Sequence, residues 1–228
     1  MKKTFQKGDI VLGELPDNAI GSEQQGIRPC VIISNHVIVD KYYVVAIITR
    51  QSEKRNTKEP YIALIKETPM DEPSEIHAEQ IFVLSEDKMI KKINRLQGRD
   101  MNRLDEALHS QFFAIFSKDD YETEYNQGDI VLFNKRTHGL IISNQKGNYH
   151  APVITFIPLA PVDSINYSDE LLIVPKQITG LEYDTYAIPY ALRTFDKSRF
   201  KHKGAKVGTF HPFYYGAVNS WIERTLEL

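Results

Sequence analysis

Apolar residues along this chain fall in short runs separated by polar turns, a pattern of β-strands more than of long helices. Ile10-Val11-Leu12 follows the turn Lys7-Gly8-Asp9, and Cys30 to Ile33 is a continuous apolar run bounded by Ser34-Asn35. Tyr42 to Thr49 is rich in β-branched and aromatic residues and reads as a central strand. Tyr61 to Lys66 and Ile76 to Leu84 read as further strands. Val37 to Asp40 reads as an outlying turn, and Arg50 to Glu59 and Pro69 to Ser74 as loops. Ser85 to Ile93 opens with a capping serine and predicts a short helical turn. Helical spacing is clearest over Asp100 to Phe116. There Asp100 is the expected cap, and Met101, Leu104, Leu108, Phe112 and Ile115 share one face.

Lys118 to Asn126 is charged, lacks an apolar period and reads as a linker. Beyond it the opening pattern returns. Gln127-Gly128-Asp129-Ile130-Val131-Leu132 echoes Lys7 to Leu12, and Gly139 to Asn144 echoes Cys30 to Asn35. Two marks in the same order point to an internal duplication. Weaker matches place Val153 to Leu159 on Val44 to Arg50, and Ala187 to Lys197 on Ala78 to Lys88. Phe213 to Leu226, with Trp221 and Ile222, predicts a closing helix. Two β-rich units, each closed by a helix, suggest a covalent mimic of a two-fold dimer.

Composition changes this picture little. With 42% apolar and 25% charged residues among 228, the chain reads as a soluble globular protein. A formal charge of −2 means that any basic surface is local. The single cysteine, Cys30, excludes an internal disulfide framework and a cysteine-based zinc site. No apolar stretch has the length of a membrane span, and the basic N-terminus lacks the apolar core of a signal peptide. A cytoplasmic location, no membrane contact and no cofactor are expected.

The stretch with most chemistry is Gly21 to Asn35. A glycine-bracketed polar loop, Gly21 to Gly26, leads through Ile27-Arg28-Pro29 into the apolar run. Pro29 favours an extended Arg28, so one arginine sits at the mouth of a core strand beside a flexible flap. Such an arginine can hold a phosphate, and it can equally be a solvated strand-edge residue.

These residues resemble the MazF/PemK-type toxins, endoribonucleases of toxin–antitoxin systems. The likeness is carried by Gly8-Asp9-Ile10, Gly21-Ser22-Glu23-Gln24, Gly26-Ile27-Arg28-Pro29, Val31 to Asn35, Ala46 to Thr49 and Glu79-Gln80-Ile81. It covers about residues 5–116, and the second half resembles the family as a degraded copy. The resemblance implies a mainly β (α+β) fold of two tandem, small, twisted barrels of SH3-like or CcdB/PemK type. Each would carry a C-terminal helix, and together they would form a pseudo-dimer. The expected domains are 1–117 and 127–228, joined by the linker 118–126. The implied activity is metal-independent cleavage of single-stranded RNA by attack of the 2′-OH, giving 2′,3′-cyclic phosphate and 5′-OH ends. A small cognate antitoxin is the implied protein partner.

Residue by residue, the resemblance assigns Arg28 to the phosphate and Thr49 to a phosphate oxygen. Glu79 falls in a general-base slot, with an ion pair to Arg28 as the plainer reading. His77 is a possible acid, or simply a surface histidine. Ser22, Glu23, Gln24, Arg50 and Gln80 are the expected RNA contacts, with Lys54, Arg55 and Lys58 beside Arg50. Lys197, Arg199, Lys201, Lys203 and Lys206 form a second basic run, in which Phe200 and His202 could stack on bases or pack inward. In the second copy Thr137 falls in the Arg28 slot, Pro158 in that of Thr49 and Pro189 in that of Gln80, while Arg136 is shifted out of place. Two other readings stay open: a CcdB-like gyrase poison, for which Trp221 is suggestively placed, and a catalytically inactive RNA-binding module.

Overall fold

A computed structural model of the chain describes residues 5–34, 41–51, 59–114, 120–133, 137–164, 172–200, 205–211 and 214–228. The expected turn at Val37 to Asp40 and the positions Lys54, Arg55, Lys58, Arg136, Lys201, His202 and Lys203 lie outside the described residues.

The first half is a six-stranded antiparallel sheet. Its strands are β1 (Asp9–Leu15), β2 (Gly26–Ile32), β3 (Tyr42–Arg50), β4 (Ile62–Ile65), β5 (Ser74–Ser85) and β6 (Met89–Arg95). They run in the order β4-β5-β3-β2-β1-β6 and are followed by α1 (Arg99–Phe112). Alternation sends Val11, Cys30, Ile32, Tyr43, Val45 and Ile47 to one face, closed by Leu84 and Met89. Ile10, Val31, Val44, Ala46 and Ile48 go to the other face, against Leu104, Leu108 and Phe112 of α1. Burial pushes the Cys30 thiol up to about 12, against a weaker opposing hydrogen bond at Gly13, so Cys30 is an inert core residue.

Two expectations are corrected here. The helical turn opened by Ser85 ends early, and Met89 to Ile93 is extended. A single 3₁₀ turn at Glu86–Lys88 leads directly into β6, whose Ile90 and Ile93 are exposed. Nor does Asp100 cap α1, because the N-cap is Gly98. Asp100 is inside the helix, and its buried carboxylate accepts the backbone N–H groups of Lys66, Glu67 and Thr68 at 2.7–2.9 Å. It therefore ties α1 to the end of β4. Burial alone would raise its pKa; the hydrogen bonds outweigh burial and hold it below the usual aspartate value.

The second half contains β7 (Asp129–Phe133), β8 (Thr137–Ile141), α2 (Gln145–His150), β9 (Val153–Pro161) and β10 (Leu172–Val174). Next come α3 (Lys176–Thr179), β11 (Thr185–Ala187), β12 (Arg193–Asp196), β13 (Lys206–Thr209) and α4 (Tyr215–Leu226). The sheet order is β10-β11-β9-β8-β7-β13, with β12 also on β9. Residues 120–126, expected as part of a linker, pack on this half. Tyr125 is buried beside Phe200, and Gln145 donates to the Tyr121 carbonyl at 2.7 Å.

The echoed motifs adopt the same local geometry. Gly8 and Gly128 both have φ of +87°, a left-handed conformation suited to glycine. Gly8 N–H donates to Ile32 O, and Gly128 N–H to Ile141 O, each at 2.8 Å. Asp9 and Asp129 accept the N–H of Gln6 and Asn126 at 3.1 and 2.9 Å.

Pairing register corrects the weaker matches by two residues. Cys30 pairs with Val11 and Ile47, and Gly139 pairs with Val131 and Pro158. Pro158 thus answers to Ile47, and Ala160 holds the Thr49 slot. On the neighbouring strand, by the same count, Ala191 holds the Gln80 slot in place of Pro189.

One apolar cluster runs through both halves, joining α1 and the β3–β5 face to Leu140, Ile157, Leu159, Leu192 and α4. Polar ties cross the same boundary: Ile81 N–H to Thr194 Oγ1 at 3.0 Å, Asn144 N–H to Gln111 O at 2.9 Å, and Lys7 Nζ to Glu227 O at 2.9 Å.

Candidate active site

The site grows out of the alternation of the first sheet. Arg28 follows the parity of Cys30 and Ile32, and Thr49 that of Val45 and Ile47. The β2–β3 ladder ends at Cys30–Ile47; continued by two residues, it brings Arg28 opposite Thr49. Thr49 in turn pairs with Glu75 on β5. Three adjacent strands therefore place an arginine, a hydroxyl and a carboxylate in one row, where the apolar lining ends.

Beside this row, β5 departs from its ladder. Ala46 pairs with Ile81 and Ile47 with His77, which leaves Ala78, Glu79 and Gln80 in a wide bulge. The bulge lets Glu79 return to the histidine two residues before it. His77 Nδ1 lies 2.6 Å from Glu79 Oε1. Its Nε2 lies 3.1 Å from both Glu75 Oε1 and Thr49 Oγ1. His77, Glu75 and Glu79 are all buried. His77 is thus no surface residue, and Glu79 pairs with it and not with Arg28. A buried imidazole between two carboxylates is held firmly, because each carboxylate would be costly to leave unpaired. Glu79 Oε2 is buried without a hydrogen-bond partner among the described residues, and it belongs to a residue lining a cleft.

The expected residues divide between two clefts linked by the Thr49–His77 contact. Arg28, Thr49 and Arg50 line one of about 440 Å³, with Pro69, Asp71 and Glu72 on its far side. Arg28 is exposed, and its Nε donates to Gln25 O at 3.3 Å. Arg50 makes a solvent-exposed pair with Glu72 at 3.2 Å. Ser22, Gln24, His77, Glu79 and Gln80 line the other cleft, of about 520 Å³. Its opposite wall, His150, Ala151 and Pro152, comes from the second half.

Glu23 lies elsewhere, paired with Arg199 of the second half. The loop pictured as a free flap is tied down: Ser22 N–H donates to Asp196 Oδ2 at 2.8 Å. The described members of the second basic run are likewise engaged. Lys206 pairs with Asp129 at 2.8 Å, Lys197 donates to the Asn148 carbonyl, and Phe200 is buried in the aromatic core.

Two contributions escaped the sequence reading. Glu75 was detectable, since Glu75-x-His77-x-Glu79 on a strand puts three polar groups on one face. His150 was not, because nothing local to α2 indicates what faces it.

Comparison with known proteins agrees with the first half. Residues 6–112 match the family described as PemK-like, MazF-like toxin of type II toxin-antitoxin system. Endoribonuclease EndoA of Bacillus subtilis (strain 168) is 30% identical over 112 residues, which is 48% of this chain and 96% of that protein. Among solved structures, an endoribonuclease in complex with its cognate antitoxin from Mycobacterial species is 18% identical. That match covers 46% of this chain and 92% of its own, with a TM-score of 0.37. The Mycobacterium tuberculosis toxin MazF-mt6 is 16% identical, covering 44% and 92%, with a TM-score of 0.35. On the family match and the near-complete coverage of EndoA, this chain belongs to the PemK-like, MazF-like toxins of type II toxin-antitoxin systems.

Proposed function

We propose that the chain is an endoribonuclease that cuts single-stranded RNA without a metal ion, through one site in its first half. The observation that carries this reading is the row Arg28, Thr49, Glu75 with His77 hydrogen-bonded to Thr49. Arg28 binds the scissile phosphate and offsets the charge that develops on it. Glu79, in the carboxylate–imidazole cluster that His77 joins to Thr49, takes the proton of the ribose 2′-OH. The new 2′-O–P bond forms as the P–O5′ bond breaks. The departing 5′-oxygen takes a proton from the Thr49 hydroxyl, which His77 Nε2 replenishes. The products carry a 2′,3′-cyclic phosphate and a 5′-OH, and DNA is not a substrate because it lacks the nucleophile.

The second half is, in this reading, a diverged copy that has lost the chemistry. It completes the apolar core and lends His150, Ala151 and Pro152 to the central cleft, that of Ser22, Gln24, His77, Glu79 and Gln80. A small cognate antitoxin is the proposed partner. In support, the matching family is one of toxins of type II toxin-antitoxin systems.

The test is to incubate the protein with a mixed pool of single-stranded RNA in EDTA. Cyclic-phosphate ends, absent with Arg28→Ala, support the reading. Binding without cutting, or gyrase-dependent DNA breaks, would replace it.

A further inference from the structure

The loop Gly21 to Gln24 and the second half hold each other through a reciprocal clasp. Asp196, at the end of β12, accepts Ser22 N–H on Oδ2 at 2.8 Å; its Oδ1 accepts the N–H and hydroxyl of Ser198 at 2.9 and 2.6 Å. In return, Glu23 Oε1 accepts Asp196 N–H at 2.8 Å. Arg199 grips the same carboxylate with two parallel bonds, Nε to Oε1 at 2.5 Å and Nη2 to Oε2 at 2.6 Å. Its guanidinium also donates to Asn18 O at 2.7 Å and lies over the Phe195 ring at 4.7 Å. The Glu23 and Arg199 side chains are only 6% and 16% exposed, so water screens this pair little. Glycine is required at position 21, where φ is +59° and a Cβ would sit 2.4 Å from Asp196 Oδ2. From the clasp the loop reaches the central cleft: Ser22 O accepts Gln80 Nε2 at 3.4 Å, and Ser22, Gln24 and Gln80 line that cleft.

We propose that Asp196 and Arg199 are positioning residues, by which the second half fixes this loop as a wall of the central cleft and sets its grip on RNA. The proposal rests on the nuclease reading. It gives the second half a working role despite its lack of catalytic groups. The carboxylate of Asp196 suits the task. Burial acts to raise its pKa, but the hydrogen bonds from Ser198 and Ser22 outweigh this and keep it ionised.

Hydrogen exchange of the full chain is measured first, in the parent and in Arg199→Ala, Arg199→Lys and Asp196→Asn. Arg199→Ala is expected to speed exchange at Ser22 and Asp196 by about tenfold or more, with β1, β3 and β5 unchanged. Steady-state cleavage of a single-stranded oligoribonucleotide should then show KM raised about tenfold with kcat within about twofold. Arg199→Lys, which keeps the charge but not the fork, should fall between. Unchanged exchange at Ser22 in both Arg199→Ala and Asp196→Asn overturns the clasp. Faster exchange with unchanged KM overturns the positioning role and leaves a purely structural tie. A parent that cuts no RNA removes the nuclease reading, and with it the positioning role; flap exchange then decides the clasp alone.

Discussion

The two halves share a sheet order and the geometry of their opening turns, yet differ at the end of the sheet where chemistry is possible. In the first half, Arg28, Thr49, Glu75, His77 and Glu79 gather there. In the second half, register puts Thr137, Ala160, Tyr186 and Ile188 in the first four of those slots, with Tyr190 in the fifth by count. The inner faces differ in the same sense. The first is mainly aliphatic, with Phe5 and Tyr43 among its members, and the second is packed with Phe133, Phe156, Phe195 and Phe200. Gly139 makes room for Phe156, since a Cβ there would lie 2.5 Å from its ring, whereas Cys30 fills the matching position of the first half. A sheet of this order thus folds with or without the polar row, so the row is a burden that folding does not require. The buried imidazole and its two carboxylates support the proposed site, because the uncharged Tyr186, Ile188 and Tyr190 hold the same slots in the same molecule.

The sharpest way to break this contrast is Arg28→Ala. Cleavage of a labelled oligoribonucleotide should fall by about 10²–10³-fold or more. The urea midpoint should stay within experimental error, because Arg28 is exposed. Thr137→Ala should change neither measurement. A graft asks whether the slots suffice. Thr137→Arg with Ala160→Thr, placed in Arg28→Ala, should restore less than about one-hundredth of the parent rate, since Tyr186, Ile188 and Tyr190 hold the slots of the His77 cluster.

Stability separates the halves next. His77→Ile, which puts the second half's residue in the first, should cost about 3–5 kcal/mol by stranding buried carboxylates. Ile188→Leu should cost under about 1.5 kcal/mol. Urea unfolding reads both. The paired glycines give a smaller difference. Gly8→Ala should cost about 1–2 kcal/mol for its left-handed backbone, as the nearest atom is the movable Met101 Sδ. Gly128→Ala should cost more, because a Cβ would lie 1.4 Å from the Tyr215 hydroxyl oxygen, which itself donates to Gln127 O.

Smallest is an acid effect at Asp100 of the first half. The pKa of Asp100 is lower folded than unfolded. Its contribution is therefore present above the unfolded value near 3.8 and is lost as pH falls through the folded value. Asp100→Asn should flatten the loss of stability below about pH 4, measured by thermal unfolding across pH.

Much of the fold was legible in the order of residues. Short apolar, β-branched runs bounded by turn residues marked β1 to β5, because strand preference and turn chemistry are local. The echo of Gly8-Asp9-Ile10 in Gly128-Asp129-Ile130 marked two similar units, since a left-handed glycine and an aspartate that accepts its own turn's N–H are local devices. The Gly26-Ile27-Arg28-Pro29 stretch and Thr49 marked two members of the row. What local pattern could not decide was pairing across strands and between halves. The two-residue shift that moves Pro158 off the Thr49 slot comes from a ladder, and a ladder belongs to two strands at once. Asp100 looked like a helix cap by sequence, but tertiary packing put it on the end of β4. The β5 bulge, which turns Glu79 back onto His77, required β3 beside it. Glu23 read as an RNA contact because its partner, Arg199, is far away in sequence, and only a folded chain could bring the two together. Local chemistry was written in the chain; which groups meet was decided by the fold, because a buried charge is stable only where its partner is.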